Sequence, residues 1–79
     1  MQLFKIFFKE IGGTRQVWAQ FSEYELRNSP YNEIFEDASA IYYASTGNDV
    51  MIEPVKIEPS KNREISDIFK RFQDWCEKH

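Results

Sequence analysis

Residues 3–21 read LFKIFFKEIGGTRQVWAQF, and this stretch decides the fold. In LFKIFFKEI the side chains alternate as on a strand, so Phe4, Ile6 and Phe8 share one face while Lys5, Phe7 and Lys9 share the other. Gly12-Gly13 predicts a hairpin turn, because two-residue turns demand positive φ and glycine supplies it without steric cost. The answering run, RQVWAQF, puts Val17, Ala19 and Phe21 on one side and Gln16, Trp18 and Gln20 on the other. Paired through that turn, the two strands present one apolar face and one mixed face.

Downstream, Ser29-Pro30 reads as a helix start: the serine caps an orphan N–H, and proline suits the first turn, where its missing donor costs nothing. In YNEIFEDA, Tyr31, Ile34, Phe35 and Ala38 fall on one helical face. Residues 22–28 admit two readings, a continuation of the second strand or a helical turn capped by Ser22 with Glu25 in a capping box. SAIYYAS, rich in isoleucine and tyrosine, reads as a strand. Thr46-Gly47-Asn48-Asp49 reads as a turn, and VMIEPVKIEP as the returning strand, with Pro54 marking an edge or a bulge. Pro59-Ser60 ends that strand and caps a last helix over 61–78, whose apolar stripe is Ile65, Ile68, Phe69, Phe72, Trp75 and Cys76. Asp67 with Arg71, and Asp74 with Lys78, stand at favourable i,i+4 spacing on its outer side. The assembled expectation is an α+β fold: a small antiparallel β-sheet in β-β-α-β-β-α order, with the C-terminal amphipathic helix packed across one face.

With 79 residues the chain is expected to form a single domain, 1–79. A domain of this size buries only about 60% of the surface its unfolded chain exposes, so the core is thin. Lys5, Lys9 and Glu10 interrupt the apolar start, which argues against a secretory leader, and no stretch is apolar enough for a membrane span. One cysteine excludes a disulfide framework and points to a reducing, cytoplasmic setting.

Catalytic patterns are scarce. Glycines stand only at 12, 13 and 47, so neither a dinucleotide fingerprint nor a P-loop can be written. Cys76 lies on the apolar stripe, where thiols are usually inert, and His79 is the terminal residue, a poor place for a general base. Glu33, Glu36 and Asp37 alone make a weak Mg²⁺ set, since a metal site draws ligands from several elements. No enzyme, cofactor or metal is expected.

Charge and aromatic content are the informative features. The formal net charge of −3 is unevenly spread: residues 1–21 carry +2, residues 22–58 carry −6, and residues 59–79 carry +1. Glu33, Glu36 and Asp37 sit three and four apart, on the side of their helix opposite Tyr31, Ile34, Phe35 and Ala38. The plainer reading of such a cluster is a solvated face that keeps the protein soluble. The functional reading is an anionic patch, extended by Glu23 and Glu25 and interleaved with Tyr24 and Tyr31, since tyrosine is enriched in interfaces. The chain also holds 16% aromatic residues. If one sheet face takes the last helix, Phe7 and Trp18 lie on the other, ringed by Lys5, Lys9, Gln16 and Gln20; a second small core, or exposure, are the two outcomes.

Three functions follow as expectations. The first is a non-catalytic module that binds another protein with a basic surface through Glu23, Tyr24, Glu25, Tyr31, Glu33, Glu36 and Asp37. In its sharper form the acids mimic phosphates and occlude a nucleic-acid-binding groove. In size and charge alone, the chain is similar to the small acidic inhibitors of phages and mobile elements, the anti-CRISPR and anti-restriction class. The second is a single-stranded nucleic-acid binder that stacks bases on Phe7 and Trp18 and holds phosphates with Lys5, Lys9 and Arg15. An acidic chain with a sequence pI near 5.1 ranks that lower, because phosphate attraction dominates such affinity. The third is a structural subunit that forms homodimers or larger homo-oligomers through the same face.

Overall fold

The computed structural model describes residues 2–79. Its elements run β1 (Leu3–Glu10), β2 (Gln16–Ser22), α1 (Glu23–Asn28), α2 (Tyr31–Thr46), β3 (Ile52–Glu58) and α3 (Arg63–Lys78). The three strands form one antiparallel sheet in the order β2-β1-β3. The expected α+β class, the antiparallel sheet and the C-terminal helix against it are all present, with α3 packed on β3. The element order is β-β-α-α-β-α, which differs from the expected order at two places: residues 23–28 form a helix of their own, and one expected strand is missing.

The missing strand is SAIYYAS. It continues α2 instead of forming a strand, because the apolar row Tyr31, Ile34, Phe35 and Ala38 carries on to Tyr42 at the helical period. Strand preference for isoleucine and tyrosine is a packing preference and yields to that continuous buried face. The helix stops at Gly47, which takes a left-handed φ of 75° and sends its N–H to the Tyr43 carbonyl. Thr46-Gly47-Asn48-Asp49 is therefore a helix end, and β3 pairs directly with β1.

Other local differences have local causes. The β1–β2 connection is longer than two residues: the Gly13 N–H bonds to the Glu10 carbonyl at 2.9 Å, with Gly12 at φ 84°, and the strands pair only from Lys9 opposite Gln16. A positive φ at the third turn position is the type II geometry, which splays strands where a primed turn would not. Residues 22–28 are helical, and the capping box between Ser22 and Glu25 is complete. Ser29 therefore ends α1, and α2 starts from Pro30 without a side-chain cap. Asn62, not Ser60, caps α3 by accepting the Ile65 N–H at 3.1 Å. Pro54 lies on an edge strand and beside a register shift, where Phe7 faces Lys56 and Phe8 faces Pro54. The expected Asp67–Arg71 and Asp74–Lys78 pairs do not close; α3 instead pairs Glu64 with Arg27 of α1.

The core lies between the sheet and the helices. Phe4, Ile6 and Phe8 of β1, Ala19 and Phe21 of β2, and Ile52 and Ile57 of β3 meet Leu26, Ile34, Ala38, Tyr42, Ile65, Phe69 and Phe72. Phe72, 1% exposed, contacts Phe8 edge-on at 6.2 Å, Tyr31 at 5.8 Å and Trp75 in a stack at 6.4 Å. Each such aromatic pair adds about 0.5–1.5 kcal/mol beyond its burial. Phe72→Ala should destabilise the fold by about 3–5 kcal/mol in urea titrations, by cavity formation at this hub. Ser22→Ala, which removes a cap and no core volume, should cost about 1 kcal/mol.

Candidate interaction surfaces

Helix α2 turns Ile34, Ala38 and Tyr42 inward, so the helical period directs Glu33, Glu36 and Asp37 to solvent. All three are exposed, and among the described residues none has a cation within ion-pair distance. From Tyr31 to Thr46 the helix contains no lysine or arginine. Its formal charge of −3 therefore equals that of the whole protein, and the rest of the chain balances to zero.

The other members of the expected acidic tract are placed differently. Glu23 pairs with Arg27 at 3.1 Å, and the same guanidinium reaches Glu64 at 2.9 Å. These bonds, Glu64 first and then Glu23, hold Arg27 above its ordinary pKa. The Glu25 carboxylate accepts the Ser22 N–H at 2.9 Å as half of the capping box. Tyr24 is 73% exposed, whereas Tyr31 is half-buried against Phe72 and Trp75. Tyr42 is inside: its hydroxyl donates to Glu10 at 2.8 Å, and burial, then this bond, push the phenol above its ordinary pKa. That tie between α2 and β1 has no linear signature, because its partners stand far apart in the chain.

The second surface is the sheet face opposite the helices. Phe7 stands directly across from Trp18, and Trp18 is 47% exposed. Among the described residues no second core forms over them. The Lys5 ammonium sits 4.4 Å from the Trp18 ring centre, and Lys56, which β3 brings alongside β1, sits 4.6 Å from Phe7. Lys9 pairs with Glu53 at 3.6 Å and Lys56 with Glu58 at 3.5 Å. Arg15 lies apart, exposed in the β1–β2 connection. Lys56, Glu53 and Glu58 were not foreseen on this face, since their place depends on β3 bonding to β1.

A third feature is a cleft of about 380 Å³ between β3 and the end of α3, lined by Met51, Pro54, Trp75, Cys76 and His79 among others, with Phe35 the contribution from α2. The His79 ring stacks on Trp75 at 4.6 Å, and its Nδ1 lies 2.9 Å from the Trp75 carbonyl. Burial pushes the Cys76 thiol up to about 11, so it is un-ionised at neutral pH. Among the described residues no group of three or more His, Cys, Asp or Glu side chains converges to hold a metal, and no helix is long and apolar enough to cross a membrane. Comparison with protein families, curated proteins and solved structures finds no match.

The thiol provides a test of the cleft. Native Cys76 should react with thiol reagents at pH 8 roughly a hundredfold more slowly than in urea, given a rise of about two units over an exposed thiol. A pKa raised on folding means that the contribution to stability is intact below roughly pH 8.5 and is lost as pH rises through 11. Urea midpoints should fall across that window, and Cys76→Ala should remove this part of the slope.

Proposed function

We propose that this protein is a non-catalytic binding module that lays the outer face of α2 on a basic surface of another protein and blocks it. The observation that carries the reading is the unneutralised charge of α2: Glu33, Glu36 and Asp37 have no cation partner among the described residues, in a chain whose remaining charges balance. Like charges at these spacings cost a helix a few tenths of a kcal/mol each. Only Glu33 recovers some of that, from the helix dipole in the first turn. The reading extends the patch to α1, where Glu23 is held by Arg27, Glu25 by the cap, and Tyr24 between them supplies an exposed ring. Acids so arranged speed encounter with a basic partner and set its orientation, while the ring adds contact area.

The partner class that fits best is a nucleic-acid-binding protein, whose groove is built to meet phosphates. In that form the module acts as an inhibitor of the anti-CRISPR or anti-restriction type, working in a cytoplasm that keeps Cys76 reduced. A second reading rests on the exposed Trp18 beside Phe7, a stacking platform for unpaired bases. Against it, Lys5 and Lys56 already occupy positions over both rings.

Affinity capture from cells of the source, with identification of what is retained, tests the first reading. Wild-type protein should retain a basic-surfaced protein at low salt. The triple variant Glu33→Lys, Glu36→Lys, Asp37→Lys should weaken that binding by at least about tenfold while keeping its native circular dichroism. Unchanged affinity of the triple variant would refute the role of α2. Short single-stranded oligonucleotides should leave Trp18 emission unaltered; quenching that disappears in Trp18→Ala would favour the second reading.

A further inference from the structure

The sheet has two outer strands, and they are built differently. β3, IEPVKIE, carries Glu53, Lys56 and Glu58, contains Pro54 and has an irregular register, the devices by which natural sheets discourage pairing with other chains. β2, QVWAQFS, has no charged side chain, no proline and an unbroken register with β1. It is the only one of the three strands without a charge.

Which backbone groups β2 leaves free follows from two hydrogen bonds. The Glu23 N–H donates to the Gln2 carbonyl at 3.3 Å, which extends the β1–β2 ladder by one position. Bonded positions alternate along an antiparallel pair, so Phe21, Ala19 and Val17 direct their N–H and C=O groups to β1. The residues between them, Gln16, Trp18 and Gln20, direct theirs outward. Ser22 follows the same parity, and its outward N–H is taken by Glu25 at 2.9 Å. Outer groups of Gln16, Trp18 and Gln20 thus form an unoccupied row. A shallow groove runs beside it, floored by β2 and walled by Ile41 and Ser45 of α2. Both wall residues are uncharged, and Ile41 is 37% exposed.

We infer that β2 pairs with β2 of a second copy of this chain, antiparallel about a two-fold axis, joining two sheets into one. An identical uncharged strand sets no like charges opposite each other in any register. The axis passes through Trp18. In that register Trp18 faces its own counterpart and Gln16 faces Gln20 of the second copy, so every free N–H and C=O of these residues finds a partner. Moving the axis to Ala19 would set Gln16 against Ser22, whose N–H is already engaged. Tryptophan side chains meet on the open sheet face, while Val17, Ala19 and Ile41 approach on the helix side. A single strand edge is smaller than the roughly 1,200 Å² of a standard interface, so the association is weak and depends on concentration.

Analytical ultracentrifugation across a dilution series of the full chain tests the inference. Wild-type protein should approach twice its 9.5 kDa mass at high concentration. Gln16→Lys with Gln20→Lys opposes like charges twice across the axis and should weaken association roughly tenfold. Both side chains are exposed, so the fold is retained. Gln16→Lys with Gln20→Glu opposes unlike charges in the same register and should restore it. A wild-type chain that stays monomeric at every concentration overturns the inference and leaves the edge to an extended segment of a different protein. So does a lysine pair that leaves association unchanged, or a Lys/Glu pair that fails to restore it.

Discussion

Strand β1 lies between two neighbours and alternates Phe4, Ile6 and Phe8 with Lys5, Phe7 and Lys9, so the helices have to settle on the first of these rows. Three strands offer too little width for a layer on each side, and the residues left after α1, α2 and α3 have packed cannot make another. The ring cluster around Phe72 ties this single layer together, because it joins β1, α2 and α3 at one point. Burial at that point draws on both distant halves of the chain. The open sheet face and the free edge of β2 are both consequences of covering one side only.

One-sided packing also explains how the charges sort. α1 and α3 share Arg27 between Glu23 and Glu64, and the sheet face pairs Lys9 with Glu53 and Lys56 with Glu58. α2 lies along the outer strand β2, with no basic residue of its own and, among the described residues, none within ion-pair distance of its carboxylates. Its carboxylates stay unneutralised because of where the helix packs as much as because of its composition. The proposed contact with a basic partner and the proposed strand pairing use different parts of the same half of the molecule, the outer face of α2 and the rim of β2. In a paired form, two anionic helices would lie on the same side of a joined sheet.

Much of this was legible in the sequence, and the parts that were not share a physical cause. The alternation of residues 3–8 and 17–21 is local, so the two faces and the Phe7–Trp18 pair could be read directly. The stripe Ile65, Phe69 and Phe72 is local too, and so is the exposure of Glu33, Glu36 and Asp37. The residue types of SAIYYAS favour a strand, but Tyr42 falls in step with Ile34 and Ala38, and that period decides for helix. Features that depend on non-local pairing were invisible: the bond from Tyr42 to Glu10, the arrival of Lys56 over Phe7, and the sharing of Arg27 with Glu64. The freedom of the β2 edge belongs to the same group. Its lack of charge is plain in QVWAQFS, but its position at the rim depends on β3 choosing the other side of β1.

The account stands on the helices covering one face of the sheet and leaving the face of Phe7 and Trp18 to solvent. Trp18 reports on this directly once the other tryptophan is replaced, as in Trp75→Phe, with the protein dilute enough to be monomeric. Native protein should then emit at the long wavelength of a half-exposed indole, and acrylamide should quench it almost as readily as in urea. Emission at short wavelength, shielded from acrylamide until the chain unfolds, would contradict the account.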